Sequence, residues 1–69
     1  MTKARDIATS KGAHYARNSW SGCDSAAAHW LNSGEESAAE CVTKLGALTA
    51  EAAFNRGFQA ERAKGRRGP

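Results

Sequence analysis

The sequence predicts an all-α fold: an antiparallel hairpin of two helices, over about 3–31 and 35–64, dimerising into a helical bundle. Three observations predict it. Of 69 residues 15 are alanine, the best helix former. The one proline is the last residue, so nothing along the chain forbids long helices. The clearest break is Asn32-Ser33-Gly34, close to the middle.

The length allows one domain, 1–69, with 65–69 as a basic tail. The core is expected to be thin. Alanine adds little volume, and the bulky side chains are few: Ile7, Tyr15, Trp20, Trp30, Leu31, Val42, Leu45, Leu48, Phe54 and Phe58, besides Met1. Small scaffolds of this kind commonly recruit a staple, a metal or a second copy.

The first helix rests on Ala8, Gly12, Tyr15, Ala16, Ser19, Cys23, Ala26 and Trp30, whose steps of three and four keep one face. Asn18-Ser19-Trp20-Ser21-Gly22 is poor helical sequence, so a kink or break is expected near 19–22. With Ser21 as a cap, three helices become the alternative. The second helix starts after Ser33, which stands three residues before Glu36 in capping-box spacing. It ends with Arg62 and Lys64 in the last turn and Gly65 just past it.

At 100° per residue, Ala39, Gly46, Ala50, Ala53, Gly57 and Ala60 form a seam of small residues along the second helix. Val42, Leu45 and Leu48 flank it on one side, Phe54 and Phe58 on the other. This apolar face is wider than one antiparallel partner covers. A homodimer or a protein partner would cover it; so would residues 21–31 folded back as a third helix. The hairpin also sets Cys23 beside Cys41, most simply as two reduced thiols in a cytoplasmic protein.

Charge is +3 in total, divided as +3 over 1–18, −4 over 19–54 and +4 over 55–69. A hairpin would gather the two basic segments at its open end. No apolar run reaches the roughly 18–20 residues of a membrane span. The first residues carry charges with no apolar stretch behind them, unlike a secretory signal, and the expected location is the cytoplasm.

Catalysis finds no support. Cys23, Cys41, His14 and His29 lack any CxxC, HxxxH or HExxH spacing. No nucleophile turn, oxyanion hole or phosphate loop accompanies them. No cofactor or metal is expected, and the reading is a non-enzyme. Two interaction surfaces remain. One is a protein contact built on Trp20, Phe54 and Phe58 with Arg56, as in an accessory inhibitor or regulator of phage or plasmid type. The alternative is a nucleic-acid backbone contact through Lys3, Arg5, Arg62, Lys64, Arg66 and Arg67. Tyr15 and Trp30 are assigned to the core.

Overall fold

A computed structural model describes residues 3–65. It is all-helical. Four helices occupy these residues: α1 Lys3–Arg17, α2 Cys23–Leu31, α3 Glu36–Leu45 and α4 Ala47–Gly65. Arg66 and Arg67 lie outside the described residues, as does the rest of the basic tail beyond Gly65.

The two long helices expected from the sequence are each interrupted. The first stops at Arg17, as the weak 18–22 segment suggested. Asn18 Nδ2 donates to His14 O at 3.1 Å. Ser19 turns left-handed at φ 66°. Its N–H then reaches Ala16 O at 3.2 Å, and the Trp20 N–H reaches Tyr15 O at 3.5 Å. This is a Schellman ending, and its usual apolar contact is present as the Tyr15 and Trp20 rings, 5.5 Å apart. Ser21 does not cap α2. Gly22 takes the cap position in extended conformation without a side-chain bond.

The second interruption is at Gly46, with φ 87° and ψ 151°, a region open to glycine alone. Sequence periodicity passes through it without a sign. The Gly46 N–H still bonds Val42 O at 2.8 Å, and Gly46 O still accepts from Ala50 at 2.9 Å. Helical phase therefore resumes after the corner.

These two corners, not Ser33-Gly34, reverse the chain. α1 and α4 form the most extensive helix pair, and they run in the same sense. Arg5, Asp6 and Thr9 face Thr49, Ala52 and Ala53, while Arg17 reaches Glu61 at 3.6 Å. α2 and α3 run back along this pair as one broken leg. Cys23 meets Gln59 at its start, Trp30 meets Phe54 further on, and Cys41 meets Ala4 at its end. The hairpin register is thus replaced by an up–down–up arrangement. Ser33 makes no capping box with Glu36. It bridges the broken leg, accepting from the Glu35 N–H at 3.2 Å and donating to Trp30 O at 2.7 Å.

Small residues allow the α1–α4 contact. Ala4, Ala8 and Gly12 on α1 meet Ala50, Ala53 and Gly57 on α4, and all are buried. A Cβ added to Gly12 would strike the carbonyl of Phe54, and one added to Gly57 would strike that of Thr9. The predicted seam is therefore real at 50, 53 and 57, whereas Ala39, Gly46 and Ala60 are exposed.

The core gathers under this crossing. Trp30 stacks on Phe54 at 5.2 Å, Phe54 lies 6.4 Å from Phe58, and Tyr15 meets Phe54 edge-on at 5.3 Å. α2 thereby covers the aromatic flank of α4 from within the same chain. On the Phe54 and Phe58 side, the width that argued for a dimer is covered by the folded-back segment.

Candidate interaction surfaces

The fold changes which predicted contacts are available. Phe54 and Phe58 are fully buried and are corrected from partner anchors to core residues. The reason is the parallel α1–α4 pairing, which turns their flank inward under Trp30. Trp20 is half-buried, with its ring 4.9 Å from His29. Arg56 is exposed.

The basic end also divides. Lys3 and Arg5 start α1, near Cys41 and the α3–α4 corner. Arg62 and Lys64 end α4 at the opposite pole, where Arg62 reaches Ser21 O at 3.5 Å. The Arg62 guanidinium lies over the Phe58 ring at 5.6 Å, and Lys64 pairs with Glu61 at 3.6 Å. Parallel pairing is again the cause, because it sends the starts of α1 and α4 to one pole and their ends to the other.

Cys23 and Cys41 are separate free thiols rather than neighbours. The buried Cys41 donates to Ala4 O at 3.3 Å, and burial pushes its thiol pKa up.

Three accessible surfaces bear on the predicted contacts. The first is an aromatic recess of about 230 Å³ lined by Tyr15, Trp20 and His29, with Lys11 and Glu35 among its walls. The Tyr15 hydroxyl and His29 Nδ1 share a hydrogen bond of 3.0 Å. Lys11 pairs with Glu35 at 3.1 Å. Hydrogen bonds from Lys11 and then Ser37 hold the Glu35 carboxyl below its ordinary range. Burial, with the Glu35 charge second, raises the Tyr15 phenol above its ordinary value, and Lys11 opposes this.

The second is the α3–α4 corner. Leu48 is 82% exposed and Val42 36%, with half-buried Leu45 between them in sequence. Sequence reasoning placed these three on one flank of the wide apolar face. Beside the break at Gly46, Val42 and Leu48 are exposed and Leu45 packs on the core.

The third is a groove of about 240 Å³ between α1 and α4, lined by Arg5, Asp6, Thr9, Thr49, Ala52, Ala53 and Arg56. It brings together Arg5 and Arg56, which the sequence assigned to different surfaces. Neither arginine forms an ion pair among the described residues.

Among the described residues no three His, Cys, Asp or Glu side chains come close enough to hold a metal ion. None of the helices is long and apolar enough to cross a membrane, again among the described residues. No family model, curated protein or solved structure matches the chain.

Proposed function

We propose that this chain is a small non-enzymatic helical interaction module that binds and modulates a protein partner, acting as an accessory inhibitor or regulator. The contact is the α3–α4 corner of Val42, Leu45 and Leu48. The observation that carries the reading is the 82% exposure of Leu48. A scattered surface leucine is ordinary, but exposed aliphatic side chains gathered at one corner of the fold are the kind of feature that marks an interface. This chain is short of large aliphatic side chains and covers its aromatic core with alanines, so leaving Val42 and Leu48 exposed on either side of the Gly46 corner, with Leu45 packed on the core between them, points to a use outside the fold. The corner also belongs to the wide apolar face the sequence assigned to a dimer, of which α2 covers only the Phe54 and Phe58 side.

Leu48→Asp tests the reading without unfolding the protein. Leu48 buries little, and α4 has no acidic residue in its first turn. An aspartate there complements the helix dipole and adds about 0.3–1 kcal/mol at low salt. The immobilised wild type is compared with Leu48→Asp for capture from a cell lysate, and both are sedimented at high micromolar concentration. Loss of a captured protein, or of a dimer, in a variant at least as stable as the wild type supports the proposal. Identical capture and identical mass overturn it.

A further inference from the structure

We infer that the groove between α1 and α4 is a binding site for a phosphate monoester or inorganic phosphate, held by Arg5 and Arg56 with Asp6 selecting the protonated oxyanion. The site is distinct from the Leu48 corner.

Arg5 comes from α1 and Arg56 from α4, so two arginines line one groove of about 240 Å³ from different walls. Each presents a planar fork of donors suited to a pair of oxyanion oxygens. A planar carboxylate uses one such fork. A tetrahedral phosphate projects its oxygens in more than one plane, so two forks on different walls can share them. The hydroxyls of Thr9 and Thr49 line the same groove. Thr9 spends its proton on Arg5 O at 2.9 Å, which ties its side chain to the backbone that carries one of the two arginines. Ala52 and Ala53 form the floor with side chains too small to fill the space. Neither arginine is ion-paired among the described residues, in contrast to Lys11, Arg17, Lys44 and Lys64, each within 4.0 Å of a carboxylate.

Asp6 is the discriminating group. It lines the same groove as the arginines without ion-pairing to either. An ionised carboxylate only accepts hydrogen bonds, so it repels a fully ionised oxyanion and welcomes one that still carries a proton. A phosphate monoester keeps such a proton on about half its molecules near pH 6. Sulfate and phosphodiesters have none to offer.

The test is a nitrogen-15 NMR titration at pH 6 and constant ionic strength, with sodium phosphate, phenyl phosphate, diphenyl phosphate, sulfate and acetate as probes. Phosphate and phenyl phosphate should move the amide signals of Arg5, Thr9, Thr49 and Ala52, and bind about tenfold more tightly than the other three. Hydrogen bonds to charged groups set the scale for the variants: Arg5→Gln and Arg56→Gln should each weaken phosphate about tenfold. Arg56→Lys keeps the charge without the fork and should lose several-fold. Asp6→Asn should remove the preference for phosphate over sulfate. All these side chains are exposed, so the fold is retained, and the melting temperature of each variant checks this. Shifts no larger than those with sodium chloride, equal binding of the diester, or binding indifferent to Arg5→Gln would each overturn the assignment.

Discussion

Gly12→Ala puts the packing of this fold to a direct test, because two effects of opposite sign meet at one atom. In an exposed helix the change stabilises by about 1 kcal/mol through helix propensity. Here the new Cβ would sit on the Phe54 carbonyl, with the Phe58 N–H and Phe54 carbonyl carbon also too close. All three are backbone atoms, so no rotamer change relieves the overlap. The helices must part by an ångström or more. A gap of that size forfeits about a quarter to a half of the dispersion attraction across it. The side chains that loosen are Ala8, Ala53, Phe54 and Phe58, all buried at the crossing. Overpacking of this kind costs about 3 kcal/mol at the upper end. Set against the propensity gain of about 1 kcal/mol, the net destabilisation is about 2 kcal/mol. A domain this small is stable by only about 3–10 kcal/mol. Thermal unfolding followed by circular dichroism at 222 nm should show the midpoint fall by about 8–16 °C. An unchanged or raised midpoint would mean that α1 and α4 do not cross at Gly12, and the reasoning fails.

Three further outcomes follow from single residues. Ser19→Gly should raise stability by about 1 kcal/mol in urea unfolding, because Ser19 holds a left-handed φ of 66° that costs a side chain about 1–2 kcal/mol; a destabilised variant would contradict the Schellman ending. Of the two thiols, Cys23 should react quickly with Ellman's reagent and Cys41 only at the rate of unfolding, since Cys41 is fully buried; two fast thiols would refute the α1–α3 packing. The raised phenol of Tyr15 has a signed consequence. The unfolded chain ionises first as pH rises past 10.0, so the stability that Tyr15 contributes is complete below that pH and is lost on climbing through the folded value. Tyr15 is the single tyrosine, so absorbance at 295 nm reports it alone and should titrate above 10.0. The stability difference between wild type and Tyr15→Phe should shrink above that pH, and a difference independent of pH would refute the burial argument.

Much of the fold was legible in composition and spacing. Alanine content and the position of the one proline gave the helices, and the seam at Ala50, Ala53 and Gly57 gave the close approach. Tyr15 and Trp30 belong to the core, as the shortage of other large side chains required. The corners were harder. Ser19 enters a left-handed conformation that serine rarely takes, and Gly46 reads in sequence as one more small residue of a helical face. Both are decided by tertiary packing rather than by local preference. Missing Gly46 had the larger effect. It joined α3 to α4, ran the second helix antiparallel to the first, and so turned Phe54 and Phe58 outward and brought the two basic segments together. The Arg5–Arg56 groove was invisible for the same reason, since only parallel pairing brings those two residues to one place.

The direction of α4 relative to α1 therefore decides the placement of every candidate surface. Spin labels at Lys3 and Lys64, with both cysteines replaced, measure it by double electron–electron resonance. The two sites start α1 and end α4, and the length of α1 alone separates the poles by about 20 Å. A single distance distribution centred beyond that length is the expected result. Dipolar broadening of the continuous-wave spectrum, as from labels near the roughly 10 Å spacing of adjacent helices, would restore the antiparallel hairpin and contradict the up–down–up fold.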